Sequence, residues 1–376
     1  EGGKGGETVF ATGYGLLLVL DPNGDVVWYY RSDSRISDFT TLRNGNLADL
    51  TADNRVLEIE WIGNTVAQYN AAMRPQGPGE GIPLDTLSVH HGLEELASGN
   101  LLLLGTELRE IDDYYTSETD PAAPRARQKV MGDVVIEFSR DGKEVWRWNV
   151  FDHMDINRLG YLTFNSYWPV RGFPDSRDWT HGNGLWHDAR DDSLLLNLRQ
   201  QSAVVKIERP SGKIRWIFGE PGGWAEKYQP LLFRSEGEIE WPGHQHASSI
   251  TPEGNLLLFD NGILRARPFK EALPIMEGYS RAVQYAIDEK RLIAREVWSS
   301  DVAGPNSLLS FAMGDADYLP ATGNILVTYA TGSLQVEGSR RREPQATIRE
   351  VTATTPAKAV YEVVLTEQEA PATWSI

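Results

Sequence analysis

The chain repeats a two-part unit, and that repeat limits its fold more than any other feature. The first part is a tight turn feeding an apolar run. Asn44-Gly45-Asn46-Leu47 is one copy, and Ser98-Gly99-Asn100-Leu101-Leu102-Leu103-Leu104 is another. Asp191-Asp192-Ser193-Leu194-Leu195-Leu196, Glu253-Gly254-Asn255-Leu256-Leu257-Leu258 and Thr322-Gly323-Asn324-Ile325-Leu326-Val327 follow. Gly and Asn accept the backbone angles of a tight turn, and a short unbroken apolar run between turns reads as a buried strand. The second part is a hairpin with alternating apolar residues on both arms, at 17–29, 56–69, 134–146 and 204–216, with looser copies at 282–298 and 347–363. Pro22-Asn23-Gly24, Asp141-Gly142 and Ser211-Gly212 supply turn chemistry at the tips.

Two hairpins make one four-stranded sheet. Six units of roughly 60 residues predict an all-β fold, a six-bladed β-propeller carrying loop insertions. Complete blades are expected at about 36–69, 87–149, 181–217, 245–299 and 308–365. The sixth begins with the hairpin at 16–30. Its inner strands are expected from the segment 8–14 and the tail near 373–376, which closes the ring non-covalently and hides sheet edges. One domain, 1–376, follows from this reading. A β-sandwich of repeated hairpins is the alternative, but sandwiches do not recur in this half-and-half register. Insertions at 106–132, 150–180, 218–243 and 263–280 are rich in Pro, Gly, Tyr and Trp. They are expected to form a rim or lid over one face.

Composition narrows the partners. The formal net charge of −17 disfavours nucleic acid and anionic membrane, but not a small anion in a locally positive site. With no Cys, disulfides and thiolate metal sites are excluded. No apolar stretch is long enough to span a bilayer. The chain opens on Glu1-Gly2-Gly3, so a removed signal peptide and a periplasmic or secreted location are expected.

The seven histidines carry most of the functional information: His90, His91, His153, His181, His187, His244 and His246. His91 lies nine residues before Asn100, and His246 nine before Asn255. The same count reaches Ser37, Gly184 and Asp315 in the other copies, with His181 three residues before Gly184. His91, His181 and His246 therefore fall at or near the start of the innermost strand in three blades. Innermost strands line the channel, so these side chains converge. His153 and His187 read as ordinary structural histidines. His90 and His244 flank the cluster, and strand alternation predicts that sequence neighbours face opposite ways. Asn183 follows His181 by two. Arg199 and Gln200 close an apolar strand, and a buried guanidinium is costly without an anion or carboxylate. Asp260-Asn261-Gly262 ends the strand of the next blade, where a plain turn is the simplest reading.

These segments resemble the bacterial arylsulfate sulfotransferases. The likeness runs through Asp178-Trp179-Thr180-His181-Gly182-Asn183, Asp191 to Leu196, Arg199 to Ile207 and Gly212 to Gly219. It continues in Gln245-His246-Ala247 and Phe259-Asp260-Asn261-Gly262, and His90-His91 matches the family's first histidine motif. The resemblance implies a six-bladed propeller that moves a sulfuryl group from an aryl sulfate to a phenol. It implies no PAPS, no other cofactor and no metal, and a ping-pong route through a sulfohistidine. His246 is then the nucleophile. His181, Asn183 and Arg199 match positions that bind sulfuryl oxygens. One of His90 and His91 is the remaining active-site histidine, and the nine-residue register favours His91. Gln200 and Asn261 are expected as further substrate-binding groups. Gly92 departs from the family, which usually has an acidic residue there.

The chemistry suits these residues. Sulfuryl transfer, like phosphoryl transfer, passes through a loose transition state, so positioning and charge stabilisation dominate. Arg199 offers a planar fork for two oxygens. A neutral imidazole is a nucleophile near pH 7, and a second one can move the phenolic proton. Tyr161, Phe164, Tyr167 and Trp168 are candidates for an apolar wall against an aryl ring. The expected partners are an aryl sulfate donor and a phenolic acceptor, with a homodimer as a candidate assembly. Two other readings stand beside this one: a metal-dependent His-cluster oxygenase or lyase, and a non-catalytic interaction propeller. Arg199 speaks against the first, because a cation beside a metal weakens its binding. Convergent His with Arg speaks against the second.

Overall fold

The computed structural model describes residues 6–301, 307–330, 332–335 and 342–366. Among them, six antiparallel sheets follow one another around a central channel, as a six-bladed β-propeller. In chain order they span 8–31, 36–71, 89–149, 182–219, 246–299 and 315–365. From the second to the sixth, the strands of each sheet lie in sequence order from the channel outwards.

The apolar runs become strands buried on both faces. Leu101 and Leu103 pack with Leu50 and Val56 of the second sheet, whereas Leu102 and Leu104 pack with Leu194 and Leu196 of the fourth. A period of two sends alternate side chains to opposite neighbours, so an unbroken Leu run fills two interfaces at once. Phe10 and Leu20 of the first sheet close the ring on Ile348 of the sixth. The first sheet has three described strands, Thr8–Ala11, Leu16–Leu20 and Val26–Arg31. The tail at 373–376, expected to add to it, lies outside the described residues.

The Asn of the repeat has a structural task. Its amide donates across the sheet to the strand beyond: Asn46 to Glu58 at 2.8 Å, Asn100 to Glu137 at 2.6 Å, Asn255 to Gln284 at 3.2 Å and Asn324 to Glu350 at 2.6 Å. The preceding Gly takes a positive φ of 72–89° in each of these turns. A basic residue at the next sheet's tip then reaches the same acid, Arg140 to Glu58 and Arg209 to Glu137. The fourth sheet lacks the Asn and inverts the charges. Lys206 occupies the acid's register position, opposite Leu195, and binds Glu289 of the fifth sheet at 2.8 Å.

Two expectations about segments change. Much of the 106–132 insertion is strand: Leu101–Tyr114 and Ala126–Phe138 pair as one long ribbon, irregular only between Ile111 and Tyr114, around a connection at 115–125. The sixth sheet begins at Asp315. Leu308–Ser310 pairs instead with Gly332–Gln335, which pairs with Arg342–Pro344, in a separate small sheet.

Candidate active site

The innermost strands do not enter the channel end smoothly. In the second to fifth sheets the register slips at that end, between Ile36 and Asp38, Val89 and Leu93, Gly182 and Gly184, and His246 and Ser249. Such bulges re-aim side chains. His91 and His181 sit at φ +46° and +48°, and Ala247, beside His246, at +52°. The five positions nine residues before the turns, Ser37, His91, Gly184, His246 and Asp315, all line one cavity of about 540 Å³ in the channel. Asn183 and Met313 line it too.

His246 is buried and held at both ring nitrogens. Asn261 donates its amide N–H groups to the carbonyls of Ser310 and Met313, at 2.7 and 2.8 Å, which leaves Asn261 Oδ1 facing His246 Nδ1 at 2.6 Å. Nδ1 must therefore carry the proton, and Nε2 carries the lone pair. That lone pair accepts the Met313 backbone N–H at 3.1 Å. Burial, and then the charge of Arg199, push the His246 pKa well below its ordinary value, so the ring is neutral at pH 7.

Asp178 organises His181. It lies on Ser176–Asp178, a short strand running parallel to Lys129–Met131 of the long ribbon. Its carboxylate accepts from His181 Nδ1 at 2.6 Å and from Asn165, Gln200 and Trp168, each at 2.8 Å. Burial alone would raise its pKa. The charge and hydrogen bond of His181, with those amides, hold it below the usual carboxylate value instead. The His181 ring lies 5.1 Å from His91 and 4.5 Å from Tyr167, centroid to centroid.

His90 and His91 depart from the alternation expected of a strand. The bulge brings their Nδ1 atoms to 3.0 Å. His90 Nε2 faces the Gly105 carbonyl and the Asp133 carboxylate, both at 3.4 Å, so it is the protonated nitrogen. Burial first, then the nearby His181, lower the His90 pKa to about 3, so its Nδ1 accepts from His91 Nδ1–H. His91 thus keeps a lone pair on Nε2, and of the two it is His91 that lines the channel cavity. Asp133 also accepts from Thr180 Oγ1 and from the Gly182 N–H. Burial, partly offset by these bonds, raises its pKa to about 6.

Arg199 is 6% exposed, and among the described residues it has no carboxylate at ion-pair distance. Its guanidinium donates to Gln200 Oε1 and to the Phe311 carbonyl, both at 3.0 Å. Desolvation lowers its pKa to about 10, still charged at neutral pH. Asn183 donates to the Gln245 carbonyl and accepts from Asn197, each at 2.9 Å.

Gln200 and Asn261, expected to touch substrate, lie behind the reactive groups: Gln200 joins Arg199 to Asp178, and Asn261 holds His246. His244 lines a second cavity of about 700 Å³ with Tyr161, Gln200 and Trp241. Of the expected aromatic wall, Tyr167 and Trp168 pack on the histidines, Tyr161 lines that second cavity, and Phe164 lies under Arg177. His153 stacks on Trp148, and His187 binds Asp192 at 2.9 Å. Gly92 has no room for the family's acidic side chain, since a Cβ there would meet Leu185 at 2.9 Å.

Asp178, Asp133 and the Met313 amide were not assigned roles from sequence. An acid inside the apolar stretch 130–136 was the visible signal for Asp133. Asp178 lay three residues before a singled-out histidine. Nothing local marks Met313.

The arylsulfotransferase (ASST) family model matches residues 10–374. Arylsulfate sulfotransferase AssT of Escherichia coli O6:H1 is 34% identical over 144 residues, which is 34% of this chain and 23% of that protein. The protein of the same name from Lelliottia amnigena matches to the same extent. The matched region thus spans about a quarter of these relatives' length. A crystal structure of a Bacteroides caccae protein of unknown function superposes with a TM-score of 0.51 at 10% identity, covering 95% of this chain and 92% of that one. At that identity the likeness concerns the fold.

Proposed function

The chain belongs to the arylsulfotransferase family, and from that footing we propose that it transfers a sulfuryl group from an aryl sulfate to a phenol, in two steps through a sulfurylated His246. One observation supports this most: a neutral imidazole with its lone pair fixed on Nε2, within reach of the charge of a buried guanidinium that has no carboxylate at ion-pair distance among the described residues. Such a guanidinium suits an anionic group passing over the nucleophile.

In the first step Nε2 of His246 bonds to sulfur as the S–O(aryl) bond breaks, and the electron pair leaves on the aryl oxygen. The Nδ1 proton stays on the ring, donated to Asn261 Oδ1, and that hydrogen bond stabilises the charged imidazolium. His181, supported by Asp178, gives the departing oxygen a proton. In the second step it takes one from the incoming phenol, as microscopic reversibility requires. Arg199 and Asn183 hold the sulfuryl oxygens. His91, its ring 5.1 Å from that of His181, lines the cavity beside the aryl group and positions the acid–base histidine. The histidines, Arg199 and Asn183 supply every role, so the reading calls on no cofactor.

Incubation with 4-nitrophenyl sulfate tests it. Phenolate release should rise with added phenol, and mass spectrometry of quenched enzyme should find the sulfuryl group on His246. His246→Ala should lower turnover by more than about a thousandfold, as loss of a covalent nucleophile does. Full turnover in that variant would sink the assignment.

A further inference from the structure

The Phe311–Gly314 segment is bound by the groups the reaction needs. Met313 N–H donates to the His246 lone pair at 3.1 Å. The Phe311 carbonyl accepts from Arg199 Nη2 at 3.0 Å. Asn261 grips the Ser310 and Met313 carbonyls. The backbone conformation is built in: Met313 lies at φ +58° and Gly314 at +109°. A Cβ on Gly314 would meet the Phe259 ring at 2.3 Å, so only Gly fits there. The segment is not packed away, since the Phe311 side chain is 51% exposed.

A neutral imidazole nitrogen has one lone pair. It can accept the Met313 N–H or bond to sulfur, but not both. We propose that this segment is a latch. In the resting protein Met313 N–H occupies the nucleophile; when sulfur arrives, the same N–H passes to a sulfuryl oxygen while Arg199 exchanges the Phe311 carbonyl for another. This inference rests on the His246 reading above.

The N–S bond forms from the Nε2 lone pair, the S–O(aryl) pair leaves on the aryl oxygen, and the amide proton never leaves Met313. An N–H already 3.1 Å from Nε2 needs only a small shift to reach an oxygen on the new sulfur. Its hydrogen bond is exchanged rather than lost, so it favours the state in which charge has built up. The latch also keeps the lone pair covered when no donor is present.

The test uses the whole chain labelled with ¹⁵N at Met and His. In the resting protein, a scalar coupling across the hydrogen bond should join the Met313 amide to His246 Nε2. After loading with 4-nitrophenyl sulfate and no acceptor, that coupling should vanish while the amide stays protected from exchange. Kinetically, Gly314→Ala should slow single-turnover sulfurylation about a hundredfold, the usual cost of one lost oxyanion donor.

Sulfurylation that is unchanged or faster in a folded Gly314→Ala variant would overturn the latch. So would a coupling that persists on loaded enzyme, or an amide that exchanges freely once loaded. If Gly314→Ala does not fold, the labelling experiment decides alone. If no sulfuryl group is found on wild-type His246, the underlying reading fails and the latch falls with it. A sulfurylated His246 with the wrong amide behaviour removes the latch alone.

Discussion

The two ends of the inner hairpins solve different problems. At the turn end, one device recurs: a Gly at positive φ and an Asn reaching an acid or amide across the sheet, with a base from the next sheet on Glu58 and on Glu137. At the channel end no two sheets agree. His246 is fixed by Asn261, His181 by Asp178 and His91 by His90, each on its own bulge. The turn end has many equivalent parts, so losing one should be tolerated. The channel end has one of each, so losing one should be costly in rate.

The largest contrast should come from Asp178→Asn. It keeps the shape but removes the charge that selects the His181 tautomer and stabilises its protonated form, so kcat should fall about a thousandfold while the fold holds. A single-digit change would mean that the channel end is as forgiving as the turn end. Next, His90→Phe should leave His91 without its Nδ1 acceptor. The lost hydrogen bond should appear as a shifted acid limb in the pH profile of kcat/KM for the acceptor, with about ten- to a hundredfold lower activity. An unshifted profile would assign His90 a packing role only.

At the turn end, Asn324→Ala removes one lock. It should cost about 1 kcal/mol by denaturant titration and leave the kinetics alone. A loss of activity there would join what the structure separates.

The smallest effect concerns pH. Burial holds His90 and His244 near pKa 3 when folded. The unfolded chain binds their protons more readily, so their contribution to stability is present above the unfolded value of about 6.5 and is lost as pH falls towards 3. Asp38 and Glu94, on the channel wall, run the other way. Burial lifts both to about 7, so their contribution is present below about 4 and is lost as pH rises through 7. Asp38→Asn should therefore stabilise the protein more at pH 8 than at pH 5. An equal shift in Tm at both would show that the carboxyl is solvated.

The same contrast explains what the sequence revealed. The turns, the doubly buried strands and the nine-residue register are local, since each is written within one hairpin. All five register positions accordingly line one cavity. The wiring behind the histidines is not local. Asp133 reaches Gly182 from another sheet, and Arg199, at the end of a fourth-sheet strand, meets Phe311 just before the sixth. The expected divergence of His90 and His91 failed at a bulge, and a bulge depends on what the neighbouring sheets press against it.

The ring closure has a mechanical consequence. Its joint lies between the first and sixth sheets, where Phe10, Leu20 and Ile348 form the thinnest of the inter-sheet clusters among the described residues. The third, fourth and fifth sheets carry the histidines on the far side of that joint, where covalent continuity and the thickest packing coincide. The latch, in contrast, leads into the sixth sheet, beside the joint. A closed hoop with a single seam yields first at the seam. The histidines that must hold their aim are mounted opposite it, on the third, fourth and fifth sheets.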